Sequence, residues 1–203
     1  MTIGTIEERV NGCMTRSMGD GAALAPESRE MRGMVAYFKW LAEGTNEHDA
    51  MEGTGMPKID IPARRADPEK GKAVFQQFCL SCHGADGTGT KAPEGTDPDT
   101  YLFPPIAGDD SFNDGAGMSR LKTATRFIYG NMPLGTEAGN PVLTVDQAYD
   151  VAGYMMSLPR PTRAGRDKDF PDPAFRPADY PVPAYFGDDK AALDKAKYGP
   201  FTH

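Results

Sequence analysis

The 203-residue chain reads as an all-α protein whose helices are set among long loops. Three observations predict this class. Apolar residues recur at the i, i+3, i+4, i+7 spacing of amphipathic helices in four separate stretches. Start and stop signals bracket those stretches. Between them lie unperiodic segments rich in Gly and Pro, which number 23 and 18 and exceed average usage without reaching the disordered range.

Residues 1–44 form a first helical segment. The run PESREMRGMVAYFKWLAEG places Met31, Met34, Val35, Phe38 and Leu41 on one stripe. Pro26 and Ser28 suit its start and Gly44 its end. Within the segment Asn11-Gly12 favours a tight turn that can present Cys13 away from the helix that follows; Arg9 and Cys13, four apart, share a face if the segment is helical and are brought close by the turn if it is not. Residues 45–66, with Pro57, Pro62 and Arg64-Arg65, lack periodicity and read as a linker. At Asp67-Pro68 a second unit, 67–160, begins with a good N-cap and a residue suited to the first helical turn. Its helix carries Val74, Phe75 and Phe78 on one face. Residues 84–118 are loop. A helix over 119–130, with Leu121, Ala124, Phe127 and Ile128 on one side, stops before Met132-Pro133. Thr144 and Gln147 make a capping box for the last strongly periodic helix, whose stripe is Ala148, Val151, Ala152, Met155 and Leu158. The tail 161–203 is Pro-rich but holds Phe170, Phe175, Tyr180, Tyr185, Phe186, Tyr198 and Phe201. Disordered tails are aromatic-poor, so the tail reads as an extended strap packed on the surface, with a short helix near 189–196.

The formal net charge is −7, which argues against nucleic acid as a partner, because phosphate binding needs clustered Lys and Arg. No stretch approaches the roughly 18 continuous apolar residues of a membrane span. The opening MTIGTIEERVNGC lacks a basic region followed by an apolar one, so it reads as no signal peptide.

The chemistry concentrates at Cys79-Leu80-Ser81-Cys82-His83. Two thiols three residues apart at a helix end reach the two vinyl groups of one porphyrin, and the adjacent His offers an imidazole nitrogen to the iron. CxxCH reads as c-type haem attachment. A zinc site needs further Cys or His, and only Cys13, His48 and His203 remain. A redox dithiol needs a βαβ context, which is absent. The sixth iron ligand is expected on a loop facing His83. Met132 fits, since Pro133 restrains the backbone after it, and a thioether raises the haem potential relative to a second His. Met118 is the runner-up, whereas Met155 and Met156 read as core. Phe75 and Tyr154 are expected to pack the helix pair that supports the haem. Lys39 reads as exposed, Trp40 as structural, and His48 and His203 as surface residues.

The order KGKAVFQQFCLSCHGADGTG, YLFPPIAGDDSF, FIYGNMPLG, TVDQAYDVAGYMMSL resembles a class I cytochrome c domain. Further blocks, ERVNGCMTRSMGDGAALAPESREMRGMVAYFKWL at one end and VAGYMMSLPRP, KDFPDPAFRP and KYGPF at the other, look like the periplasmic thiosulfate dehydrogenase family. That resemblance implies a di-haem enzyme that joins two thiosulfates into tetrathionate with release of two electrons, some members running in reverse. It implies that Cys13 is the thiolate axial ligand of the active-site haem and touches substrate, that Arg9 binds the anionic substrate and that Arg16 adds charge. The electron-relay haem then falls on Cys79, Cys82, His83 and Met132. Some members carry a Lys beside that Met; here Asn131 stands there, implying plain Met/His ligation. The resemblance also implies periplasmic location and a redox partner cytochrome. Residues 1–44 would be part of a second cytochrome c-like domain, but a first CxxCH, expected upstream of Cys13, is not among the twelve residues before it. The expectation is that Met1 is an internal or misassigned start, or that another chain supplies the missing half, which leaves apolar surface exposed around Met14, Met18 and the 29–41 helix. As written, the chain is expected to hold one haem and transfer electrons, the alternative being a mono-haem carrier for another periplasmic oxidoreductase.

Overall fold

The computed structural model describes residues 4–18, 21–46, 55–137 and 139–201, and His48 and His203 lie outside them. The described residues build seven α-helices: α1 (Ile6–Arg16), α2 (Arg29–Leu41), α3 (Pro68–Phe78), α4 (Leu80–His83), α5 (Leu121–Asn131), α6 (Val145–Ser157) and α7 (Lys190–Tyr198). Among the described residues a small antiparallel ribbon, β1 (Thr90–Lys91) with β2 (Tyr101–Phe103), forms inside the segment expected to be loop.

The core lies where α3, α5 and α6 meet. Phe75, Leu121, Ala124, Tyr149, Ala152 and Met155 are all at most 4 % exposed. The crossing of α3 over α6 is close because Gly71 has no side chain; a Cβ there would lie 1.9 Å from the Asp150 carbonyl oxygen. One turn on, Phe75 and Tyr154 meet at 5.3 Å between ring centroids, the pairing expected of a helix pair that supports a cofactor. The α6 N-terminus carries the expected capping box of Thr144 and Gln147. Ile61 and Ala66, in the segment before α3, also join this core. There Arg64 donates to Asp150 at 2.6 Å, and Asp150 also accepts the Asp67 amide.

Two elements decide the expectations for residues 1–44. The helix α1 runs unbroken through Asn11-Gly12. Thr5 and Glu8 cap it reciprocally, and the Asn11 side chain, instead of making a turn, exchanges hydrogen bonds with the backbone of Leu24 at 2.7 and 3.0 Å. A tertiary clamp thus overrides the local turn preference. On α2, only Met31 of the predicted stripe is buried. Met34, Phe38 and Leu41 are 38 %, 47 % and 47 % exposed, and Trp40, expected to be structural, is 60 % exposed.

The tail is a strap of three short 3-10 turns and α7. Its Asp179, 1 % exposed, accepts from the Lys122 amide at 3.0 Å and from the Arg120 guanidinium at 2.8 Å. It therefore caps α5, whose own N-cap residue offers no side-chain hydrogen bond. Farther back, Asp169 receives both terminal nitrogens of Arg16 at 2.6 and 2.8 Å and the Tyr180 hydroxyl at 2.5 Å. The last carbonyls of α1, left without partners in the helix, are met by Asn113 and Arg163. The strap so fastens α1 to the rest of the molecule.

Candidate functional site

Cys79 ends α3, its amide donating to the Phe75 carbonyl at 2.9 Å, and α4 starts at once as a single turn. The fused turns bring Cys79, Cys82 and His83 together, all half-buried. Both thiols are free. Burial, then the neighbouring Cys82, pushes the Cys79 thiol up to about 11, so at neutral pH it is a protonated thiol. Among the described residues no group of three or more His, Cys, Asp or Glu is placed to hold a metal ion, and two unpaired thiols beside a fixed imidazole suit a porphyrin.

The imidazole is held from behind. His83 Nδ1 lies 2.9 Å from the Pro104 carbonyl oxygen. A carbonyl can only accept, so the proton sits on Nδ1 and the Nε2 lone pair is left for iron. Such a hydrogen bond sets both tautomer and ring orientation in metal-ligating histidines. The β1–β2 ribbon delivers Pro104. It folds back on α4 through Gly89, whose φ is +80° and where a Cβ would stand 2.6 Å from the Phe103 carbonyl oxygen and 2.8 Å from Pro105 N. The Gly89 amide donates to the His83 carbonyl at 2.9 Å, and the Gly87 carbonyl takes the amides of Ile106 and Ala107. Glycines in the loop after His83 thus let two stretches of backbone touch and aim one carbonyl at the ring.

Met132 lies just past the end of α5, with its amide on the Ile128 carbonyl at 2.9 Å. It is half-buried against the core, and so is Met118 in the 3-10 turn Gly117–Ser119. Met155 and Met156 are 4 % and 6 % exposed and belong to the core. Cys79, Ile106, Phe112, Met118 and Met132 are among the half-buried apolar groups packed against the core.

Arg9 and Cys13 sit four residues apart on α1, and both are exposed. Arg16 does not join them. Its guanidinium is spent on Asp169 and on the Gly115 carbonyl, and the hydrogen bond to Asp169 raises its pKa further. Sequence reasoning did not single out the Pro104 carbonyl, Gly89, Asp169 or Asp179. The Gly-rich loop and the Pro104-Pro105 pair held the signal for the first two. Nothing local marks the other two.

Fold and site together define a c-type cytochrome. The cytochrome c family model matches residues 68–159, the span from α3 to the end of α6, and such a domain carries a covalently bound haem c. Over 170 residues the chain is 44 % identical to a thiosulfate dehydrogenase of Psychrobacter arcticus, covering 84 % of this chain and 49 % of that protein. A thiosulfate dehydrogenase of Allochromatium vinosum is 42 % identical over 157 residues, covering 77 % and 55 %. The solved structure of a thiosulfate dehydrogenase from Marichromatium purpuratum superposes with a TM-score of 0.71 at 32 % identity, covering 99 % of this chain and 42 % of that one. The chain is a thiosulfate dehydrogenase-like cytochrome, a haem electron-transfer protein. It spans about half the length of the curated relatives it matches.

Proposed function

We propose that this chain is the electron-relay part of a thiosulfate-oxidising cytochrome. Cys79 and Cys82 would hold one haem by thioether bonds, with His83 Nε2 and the Met132 sulfur as the groups that would ligate its iron. The haem, when bound, supplies one-electron chemistry. The chain's own residues orient the imidazole, close the cleft with apolar groups and keep water from the iron. The hydrogen bond from His83 Nδ1 to the Pro104 carbonyl carries this reading, because it fixes the ring and leaves the Nε2 lone pair free to ligate iron.

The domain boundaries follow the same reading. Residues 67–160 are the relay domain, 45–66 the linker and 161–203 the strap, while 1–44 belong to a second cytochrome c-like unit. In that unit Cys13 is the thiolate ligand of a second haem and Arg9 holds thiosulfate, a small dianion suited to a guanidinium fork. The second haem requires a further CxxCH. The 203 residues contain one such motif, so a polypeptide segment outside them supplies the other. Two thiosulfates yield tetrathionate, and the two electrons leave one at a time through the relay haem to a partner cytochrome in the periplasm. The exposed aromatic face of α2, with Tyr37 and Trp40 at 56 % and 60 %, favours this assembly over a lone carrier, since large exposed apolar patches mark interaction surfaces.

The test joins a haem-bearing upstream segment to this chain and measures thiosulfate oxidation with an artificial electron acceptor. Activity that Cys13→Ser abolishes is the expected result. Equal activity with and without Cys13 would remove that residue from the site.

A further inference from the structure

The β1–β2 ribbon that brings Pro104 to His83 is short. Its strands hold two and three residues, and their register slips between Thr90 and Lys91. A two-stranded hairpin is marginal alone. Pro104 and Pro105 have no amide protons with which to hold themselves in place. The carbonyl that meets His83 Nδ1 therefore depends on what grips the ribbon on either side of it.

Two side chains supply the grips. On β1, Thr90 Oγ1 donates to the Cys82 carbonyl at 2.7 Å, next to the Gly89 amide on the His83 carbonyl at 2.9 Å. On β2, the Tyr101 hydroxyl donates to Asp110 at 2.5 Å. Asp110 stands in a fixed turn. The Ser111 amide and hydroxyl donate to the Gly108 carbonyl at 3.2 and 2.8 Å, and the Gly108 amide donates to the Pro159 carbonyl, just past α6, at 2.9 Å. The Tyr101–Asp110 bond thus closes the loop 101–110, which carries Pro104, and ties it to the end of the helical core. Lys91 pairs with Tyr101 across the ribbon. Its ammonium lies 3.8 Å from the Tyr101 ring centroid and 3.5 Å from Asp110. The Tyr101 hydroxyl, then the Lys91 charge, hold the Asp110 carboxyl below its usual range, so it accepts as a carboxylate at neutral pH.

We infer that Tyr101 is a positioning residue for His83: its hydrogen bond to Asp110, together with Thr90 on the Cys82 carbonyl, keeps the Pro104 carbonyl on Nδ1. The inference rests on His83 ligating the iron of a haem attached at Cys79 and Cys82. Lys91 and Asp110 are exposed and Tyr101 half-buried. Exposed ties contribute little to global stability, so the effect of this one is local to the ribbon and the imidazole.

The test uses the matured holoprotein and the variants Tyr101→Phe, Thr90→Val and Thr96→Val. Tyr101→Phe removes the hydroxyl and keeps the ring under Lys91. Thr96→Val is the control: its hydroxyl makes a similar bond, 2.8 Å to the Pro93 carbonyl, in the loop between the strands and away from Pro104. Solvent exchange of the His83 Nδ1 proton is followed by NMR in the ferrous state, and the haem potential by redox titration. Exchange is expected to quicken roughly fivefold in Tyr101→Phe and in Thr90→Val, the weight of one net hydrogen bond. The potential rises in both, because a less firmly held imidazole is a weaker donor to iron. Thr96→Val keeps wild-type exchange and potential, and melting followed at the haem band stays near wild type in all three. Wild-type exchange and potential in Tyr101→Phe would overturn the inference, and so would equal changes in Thr96→Val, since any loosening of the hairpin would then suffice. If Tyr101→Phe does not mature, Asp110→Ala removes the acceptor instead and carries the same expectation and the same refutation. A wild-type mass without a haem adduct would defeat the haem reading itself, and the inference with it.

Discussion

Replacing Gly89 by Ala tests how the fold aims His83. The residue sits at φ +80°, with the Phe103 carbonyl oxygen 2.6 Å and Pro105 N 2.8 Å from where a Cβ would be. Left-handed backbone costs Ala about 1–2 kcal/mol. Both clashing atoms are backbone, so relief requires the ribbon to move, an overpacking cost of about 1–3 kcal/mol. The sum, about 2–5 kcal/mol, lowers the melting temperature by roughly 5–15 °C for a chain of this size. Moving the ribbon carries Pro104 away from Nδ1. The imidazole then becomes a weaker donor to iron, ferric haem loses more than ferrous, and the potential rises. Gly95→Ala is the control, because Gly95 has φ +93° with nothing within 4 Å of its Cβ position. That variant bears only the backbone strain and leaves the potential alone. Thermal melts followed at the haem band, together with redox titration, read both effects. Equal melting points for the two variants, or an unchanged potential in Gly89→Ala, would refute the reasoning.

Three further outcomes are expected. Asp179→Ala leaves the Arg120 guanidinium and the Lys122 amide without their buried acceptor; with the pair's loss discounted for the partly exposed Arg120 and an N-cap worth about 1 kcal/mol, destabilisation of about 3 kcal/mol is expected, and a denaturant midpoint close to wild type would contradict it. For Asp169, burial alone would raise the carboxyl, but hydrogen bonds from Arg16 and Tyr180 outweigh it and hold the pKa below the usual value. A depressed folded pKa gives stability that is present above the unfolded value of about 4 and is lost as pH falls through the folded value. Asp169→Asn should therefore flatten the decline of melting temperature below about pH 4, and identical slopes in the two proteins would exclude the clamp. Met132→Ala should abolish the far-red charge-transfer band and lower the potential, whereas a band that survives there and disappears in Met118→Ala would transfer the ligand role to Met118.

How far the sequence led depended on the range of the interaction. Helices α3, α5 and α6 were legible because each carries its own signals: Asp67-Pro68 at one start, Thr144 with Gln147 at another, and apolar stripes at helical spacing. The Phe75–Tyr154 contact was legible too, as one aromatic on each of two helices. The sequence left the continuity of α1 open: Thr5 and Glu8 form a capping box that favours a helix, Asn11-Gly12 favours a turn, and the Leu24 backbone that decides the matter lies 13 residues away. The α2 stripe and its exposure were both legible, the stripe from its periodicity and the exposure from the missing half expected to cover it; only Trp40, read as structural, stands 60 % exposed against expectation. Long-range polar ties escaped altogether. Asp179 caps a helix 57 residues earlier, and Arg16 reaches Asp169 across 153 residues; no local pattern encodes either. Of the site, CxxCH named its own chemistry, while the Pro104 carbonyl that orients His83 is backbone and has no residue type to betray it.

The most direct measurement is mass spectrometry of the chain matured in cells that assemble c-type cytochromes, followed by peptide mapping. The account predicts a single haem adduct, located on the peptide that contains Cys79 and Cys82, and its loss when both are changed to Ala. A mature, folded chain with no adduct, or with haem retained after both cysteines are removed, would contradict it.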